Sequence, residues 1–291
     1  MGQQAAELAA GDRFAFGENW ARFLTRLDGA RIAQAEHSLA ARLGPDHLAG
    51  KTFLDIGSGS GLFSLAARRL GARVHSFDYD PSSVGCAREL KNRYRPGDAE
   101  WTIQQGSVLD AAYLRSLGQF DIVYSWGVLH HTGDMWKALE NAATLVAPGG
   151  FLFIAIYNDQ GNTSKRWKKV KILYNRLPRG FRFLVVVPSF LVLNYHHIIK
   201  DFLRLRPFRT LRNYGRDRGM SFWRDHIDWV GGYPFEVATP RQIFEFHKAR
   251  GFSLSWLDTC GGALGCNEFV FQRSGPVSGD AEARQPKVAG H

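Results

Sequence analysis

Ten residues constrain this chain more than any others, the stretch from Thr52 to Gly61 that reads TFLDIGSGSG. Phe53, Leu54 and Ile56 form a short apolar run that stops at glycines, and the residues behind it, LFSLAARRLGARV, take up helical spacing. The stretch therefore reads as buried strand, tight turn and helix. Gly57, Gly59 and Gly61 leave room for a ligand to approach the backbone, and the helix opening near Gly61 points unpaired N–H groups at the same place. A nucleotide-type cradle is expected above the carboxyl end of this strand.

The spacing of the glycines separates the cofactors that use such a cradle. A dinucleotide loop wants G-x-G-x-x-G, whereas here the third glycine arrives one residue early, in G-S-G-S-G, with Asp55 just ahead of it. That disfavours NAD. The run Asp55-Ile56-Gly57-Ser58-Gly59-Ser60-Gly61 instead resembles the first motif of class I S-adenosylmethionine-dependent methyltransferases, whose loop packs against the methionine part of the cofactor. One βα unit later, RVHSF reads as a second strand ending at Asp78, about twenty residues beyond the loop, where an acceptor for two ribose hydroxyls should stand. The resemblance puts that carboxylate on Asp78, with Tyr79 beside it, while Asp80-Pro81-Ser82 makes a helix N-cap with proline at its first position.

The same resemblance organises the chain beyond Asp80. WTIQ is a third strand leading to Ser107 and Val108, where the family holds the adenine; many relatives have Asp at the first of these positions, so Ser107 is a departure. FDIVY is a fourth strand entering SWGVLHHTGD, which places Ser125, Trp126, His130 and His131 near the methyl to be transferred. FLFIAI is a fifth, central strand, with Tyr157 and Asn158 at its end facing the acceptor. His131 or His130 is the candidate base, with Tyr157 or Asp225 as substitutes, because imidazole titrates near neutrality. The bland reading of either histidine is a hydrogen-bonded structural group.

The implied fold is an α/β, Rossmann-like sheet of seven strands, mostly parallel with the last antiparallel, and helices on both faces. Its expected parts are N-terminal helices over 1–50, a cofactor-binding core over 51–158, an insertion over 159–238, a closing helix and β-hairpin over 239–273, and a disordered tail over 274–291. The N-terminal helices either pack on the sheet or form a lid, for which FGENW, and Trp20 in particular, offers groups to the substrate.

Charge singles out the insertion. The chain of 291 residues is 45% apolar and carries a formal +10, and residues 159–219 alone hold fifteen Lys and Arg against three Asp, so the remainder sums to about −2. The segment combines a basic helix (KRWKKVKILY), a long apolar stretch (FRFLVVVPSFLVLNYHHIIKDFLRL) interrupted by Pro188, and an aromatic-rich part holding Asp225 and His226, both candidate substrate contacts. It reads as a helical cap packed on the core, as an element lying in a lipid interface through 181–206, or, least favoured for want of any RNA-binding signature, as a nucleic-acid surface.

No apolar run reaches the ~18 residues of a membrane span and no signal sequence opens the chain, so a cytoplasmic protein is expected. Cys86, Cys260 and Cys266 fit no zinc spacing, and adjacent His196 and His197 project to different sides of a helix, so no metal is expected. The expected activity is methyl transfer from S-adenosylmethionine to a small-molecule acceptor, anionic or lipid-linked, most simply at oxygen, leaving S-adenosylhomocysteine. The alternatives are a non-catalytic cofactor-binding or membrane-docking protein, and an RNA methyltransferase. The second lacks the N-P-P-[FY]-type tetrapeptide of amino-methylating enzymes at Ser125-Trp126-Gly127-Val128.

Overall fold

The computed structural model describes residues 7, 10, 12–14, 16, 20, 23–25, 27–44, 47–203 and 222–275, the side chains of residues 197 and 222–225 excepted. The strands are β1 (Thr52–Ile56), β2 (Arg73–Asp78), β3 (Trp101–Gln105), β4 (Phe120–Trp126), β5 (Val146–Tyr157), β6 (Phe252–Asp258) and β7 (Cys266–Arg273). They form one sheet in the order β3-β2-β1-β4-β5-β7-β6. Every pairing is parallel except those of β7, which runs antiparallel to both β5 and β6. The expected seven-stranded sheet with its closing hairpin is thus present.

The helices follow the strands: α1 (Gly29–Leu43), α2 (Leu62–Arg69), α3 (Pro81–Tyr94), α4 (Ala111–Leu117), α5 (Met135–Thr144), α6 (Asn162–Arg176), α7 (Phe183–Leu203), α8 (Phe222–Gly231) and α9 (Pro240–Lys248). Their starts are set by local chemistry. Asp28, Asp80, Asp110 and Asp134 each accept backbone N–H bonds at the N-termini of α1, α3, α4 and α5, and Thr239 with Gln242 forms a reciprocal cap ahead of Pro240.

Both faces of the sheet are apolar, so neighbouring residues of one strand enter different cores. Leu54, Val123 and Ile154 pack with Leu114 of α4, Leu139 of α5 and Ile243 of α9. Phe53, Ile122 and Phe153 pack on the other side with Ile32 and Leu39 of α1, Leu65 of α2 and Leu90 of α3. The chain turns back between β1 and β4, which makes the carboxyl ends of these strands the crevice of the fold.

Three local features differ from the sequence expectation. Helix α4 has few apolar positions and buries only Leu114, too weak a pattern to stand out. Strand β5 begins at Val146, paired with Phe120, and carries Pro148-Gly149-Gly150 as an irregularity before regular pairing resumes at Phe151. Helix α7 runs through Pro188 instead of breaking there. An internal proline costs about 3 kcal/mol, but Val185 and Val186 just ahead of it are held in a core with Tyr174 and Val230, and that tertiary packing prevails.

Helices α6, α7 and α8 stand between β5 and α9, and the two ends of this segment meet. Ala238 N–H donates to Tyr157 O at 3.0 Å and Asp159 N–H to Ala238 O at 3.2 Å. Phe14 packs into the same core as Tyr174 and Val230, and its N–H donates to Tyr233 O at 2.9 Å, so the N-terminal segment and the insertion cover the crevice together. The arginine run after Leu203 and the expected tail beyond residue 275 lie outside the described residues.

Candidate active site

A cavity of about 1370 Å³ opens at the carboxyl ends of β1, β2, β4 and β5. Its floor is the glycine turn. Gly57 and Ser58 N–H groups donate to Phe77 O at 2.8 and 3.1 Å, and Gly59 N–H donates to Asp78 Oδ2 at 2.9 Å, so the turn is tied to β2. Two glycines are required here by space as well as by their positive φ. A Cβ on Gly57 would lie 2.4 Å from Val128 Cγ1, and one on Gly59 would lie 2.9 Å from the indole of Trp20.

The residues present fit S-adenosylmethionine. Ser58 lines the cavity, and its buried Oγ has no hydrogen-bond partner among the described residues, which leaves polar capacity beside the glycine turn. Asp78 reaches the cavity with lone pairs left after accepting from Gly59 N–H and Asp80 N–H, both at 2.9 Å, and these suit ribose hydroxyls. Asp80 caps α3 through Ser82 N–H at 2.8 Å. Val108, 5% exposed, offers an apolar wall for a base at the end of β3, while the hydroxyl of Ser107 is engaged by Leu109 N–H at 3.2 Å. Gly61 starts α2, and Asp55 lies behind the turn accepting from Ser64 Oγ at 2.5 Å.

Enclosure shapes the two carboxylates. Burial pushes Asp55 up to about 7 against the Ser64 hydrogen bond, with the Asp78 charge adding to the rise. Burial likewise raises Asp78 to about 6 against its backbone N–H bonds. Both folded values exceed the usual 3.8, so the stability these groups contribute is present at low pH and is lost as pH rises toward 7. A cationic ligand that donates to Asp78 favours the ionised forms and must expel these protons. Titration calorimetry from pH 5 to 8 should therefore give an affinity for S-adenosylmethionine that climbs below about pH 7 and levels above it; Asp78→Asn should flatten the climb, and a pH-independent wild-type affinity would contradict the assignment.

A second group of cavity residues surrounds His131. Its ring is buried between Phe16 (centroids 5.0 Å apart) and Tyr157 (5.4 Å, edge-on), and it lines the cavity. His131 Nδ1 lies 2.6 Å from Pro234 O, which requires the proton on Nδ1 and leaves Nε2 as an acceptor. Burial holds His131 down to about 3, with the nearby Lys171 and Arg13 cations adding to the depression, so the ring is neutral throughout the working range.

Other sequence candidates are placed differently. His130 is fully buried and outside the cavity lining, with Nδ1 facing Tyr157 N–H at 3.4 Å. Ser125 is also buried and donates to Ile56 O at 3.1 Å, which makes it a tie between β4 and β1. Asn158 donates to Ala263 O and accepts from Asn267, so it closes the base of the β6–β7 hairpin. In each case the side chain points into the sheet's own hydrogen-bonding network instead of upward. Trp126 does line the cavity and donates to Glu268 Oε1 at 3.0 Å; Tyr157 lines it as well. From the cover come Trp20 over the glycine turn, and His226, whose Nε2 lies 3.2 Å from Val186 O. The side chain of Asp225 and residues 17–19 of FGENW lie outside the described residues. No cluster of metal-ligating side chains occurs among the described residues.

Two contributors escaped the sequence reading. The β6–β7 hairpin brings Cys260, Leu264, Gly265, Cys266 and Glu268 to the cavity, a consequence of β7 running antiparallel so that its start meets the end of β5 at Tyr157↔Cys266. Arg13 pairs with Glu7 at 2.7 Å, lies 4.8 Å over the Tyr79 ring and donates to His131 O at 3.1 Å, and so links the end of β2 to the turn that follows β4. Its neighbours in sequence carry no pattern that would have announced this.

Comparison with known proteins supplies the family. Ubiquinone biosynthesis O-methyltransferase of Methylobacterium sp. (strain 4-46) is 34% identical over 139 residues, 46% of this chain and 51% of that one. The enzyme of the same name from Xanthomonas axonopodis pv. citri (strain 306) is 32% identical over 182 residues, covering 61% and 66%. The chain thus spans between about half and two thirds of the length of these curated relatives. In fold it resembles magnesium protoporphyrin IX methyltransferase from Synechocystis PCC 6803 with bound S-adenosylhomocysteine (TM-score 0.53, 17% identity, 88% of this chain and 94% of that one). It also resembles an O-methyltransferase family protein from Burkholderia thailandensis (TM-score 0.51, 16% identity, 93% and 67%). Residues 27–204, more than half of the chain, match the family model described as a methyltransferase domain, and the chain belongs to the class I S-adenosylmethionine-dependent methyltransferases.

Proposed function

We propose that this protein methylates a hydroxyl oxygen of a small aromatic acceptor attached to a lipid-like tail. The observation that carries the reading is His131, a buried imidazole that lines the cavity beside Tyr157 and whose Nδ1 proton is committed to Pro234 O, which leaves Nε2 as the acceptor of the ring. S-adenosylmethionine, when bound, supplies a methyl already activated by a positive sulfur. The protein's share is to align the acceptor, exclude water and accept the hydroxyl proton at Nε2. Phe16, Tyr157 and Trp229 give flat apolar walls suited to an aromatic acceptor. The volume of about 1370 Å³ exceeds the usual range of about 300–1,000 Å³ for one ligand, which leaves space for cofactor and acceptor together. The names of the curated relatives, both ubiquinone biosynthesis O-methyltransferases, are consistent with an acceptor of this kind.

The tail is inferred from α7. Leu184, Val187, Leu191, Tyr195 and Ile199 recur at helical spacing and are 43–55% exposed, whereas Leu193 and Asn194 of the same helix line the cavity. An exposed apolar stripe within a segment of net +12 suits an anionic bilayer surface. No described helix is long and apolar enough to cross a membrane. Two measurements test the reading together. Phenolic acceptors should be turned over faster with a prenyl tail than without one, and the protein should float with anionic vesicles, a property lost in Leu191→Asp/Ile199→Asp with cofactor binding unchanged. Turnover of amines only, or flotation indifferent to both substitutions, would refute it.

A further inference from the structure

Lys171 has no solvent exposure, although Lys165, Arg166, Lys168 and Lys169 of the same helix are exposed. Its ammonium donates to Trp229 O and lies 4.4 Å from the centroid of the Trp229 ring and 4.8 Å from that of Phe235. One turn on, buried Asn175 donates to Gly231 O at 2.7 Å and to Lys171 O at 2.9 Å. Trp229 and Gly231 belong to the last turn of α8, whose carbonyls have no partner within the helix, and a cation is favoured at such an end. Helix α6 therefore holds the C-terminus of α8 with two buried donors.

The chain leaving that clamp runs directly to the histidines. Pro234 O takes the Nδ1 proton of His131, and Glu236 N–H donates to His130 O at 3.0 Å. Glu236 Oε2 in turn accepts from Met135 N–H at 3.0 Å. The turn has little slack, because a Cβ on Gly232 would lie 3.1 Å from His131 Cε1 and 3.3 Å from the Phe16 ring.

We propose that Lys171 is a positioning residue: with Asn175 it fixes the end of α8 so that the Pro234 carbonyl holds His131 in the Nδ1–H form and leaves Nε2 to the acceptor. The insertion then sets the chemistry of the site as well as covering it. Burial alone pulls Lys171 down to about 7, so enclosing it carries a cost that an apolar side chain of similar size would avoid. A residue serving packing alone would be replaced by methionine without consequence for His131.

The inference rests on His131 facing the acceptor, and the test separates the two ideas. In full-length wild type, long-range ¹H–¹⁵N spectra should place the His131 proton on Nδ1 at neutral pH. Lys171→Met should keep the fold and an S-adenosylmethionine affinity within about twofold, show mixed His131 tautomers, and lower kcat at least about tenfold with the KM for S-adenosylmethionine little changed. Asn175→Ala, which leaves Lys171 in place, should move both readouts the same way by less, and it serves if the methionine variant does not fold. An unaltered tautomer in either folded variant overturns the proposal. A tautomer change without any methyl transfer in wild type would uphold the clamp and refute the acceptor reading instead.

Discussion

Asp78→Ala should weaken S-adenosylmethionine binding about 100-fold while leaving the protein folded. The carboxylate carries two loads. Its Oδ2 holds Gly59 N–H and its Oδ1 holds Asp80 N–H, so it joins the glycine turn to the start of α3. Its remaining lone pairs face the cavity, where the ribose hydroxyls of the cofactor would donate. A hydrogen bond to a charged group contributes about 1.5–3 kcal/mol, and two hydroxyls at the lower end give about 3 kcal/mol, close to two powers of ten. Calorimetry at pH 8, where the wild-type carboxylate is ionised, isolates this effect from the proton release expected at lower pH. Asp78→Asn keeps the shape but offers one acceptor oxygen, and should fall between wild type and alanine. Wild-type affinity in Asp78→Ala would remove the basis for placing the ribose at β2.

His131→Ala should lower kcat about 100-fold with S-adenosylmethionine affinity unchanged. General-base groups contribute about 10² to 10⁴, and the lower end applies because burial holds His131 to about 3, well below the pH at which it works. The same depression fixes the sign of the pH profile. The ring is already neutral above about pH 3, so at saturating S-adenosylmethionine kcat should show no inflection near the ordinary imidazole value of 6.5, and any rise of kcat with pH should follow ionisation of the acceptor hydroxyl. Alanine also removes the partner of Pro234 O, and His131→Gln is the fairer comparison for turnover. His130→Asn, in contrast, should act on stability, since His130 lies outside the cavity lining with its ring 4.0 Å from that of Tyr157. Equal losses of kcat in folded His130 and His131 variants would contradict this division of roles.

The cofactor half of the site was legible because it is local in sequence. Asp55 to Gly61 and Asp78 are within one βαβ unit, and glycine spacing and apolar runs dictate both the turn and the strand that carries the carboxylate. The sheet was legible for the same reason, since strands buried on both faces leave long apolar runs such as Phe151 to Ile156. The rest of the cavity was legible only in part: residue type points to Trp20, Trp126, His131, Tyr157 and His226, which line it, but the remainder is assembled from contacts distant in the chain. Lys171 reads in sequence as one more cation of a basic helix, yet Trp229 and Phe235, about sixty residues on, enclose it. Residue type points to Ser125, Asn158 and His130 at strand ends, but which way each faces depends on pairing with Ile56, Asn267 and Tyr157. The two histidines illustrate the limit: identical and adjacent, they differ in surroundings, since His131 meets Pro234 O and lines the cavity whereas His130 faces Tyr157 N–H outside it.

Transfer of a methyl group from S-adenosylmethionine to an acceptor oxygen beside His131, as proposed, can be followed atom by atom. It is followed by incubating the protein with ¹³C-methyl-labelled S-adenosylmethionine and the tailed phenolic acceptor proposed above, with the product read by NMR and mass spectrometry. Wild type should yield a labelled methoxy group and equimolar S-adenosylhomocysteine, with the rate cut about 100-fold in His131→Ala. A label on carbon or nitrogen, or transfer undiminished in the folded His131 variant, would contradict it.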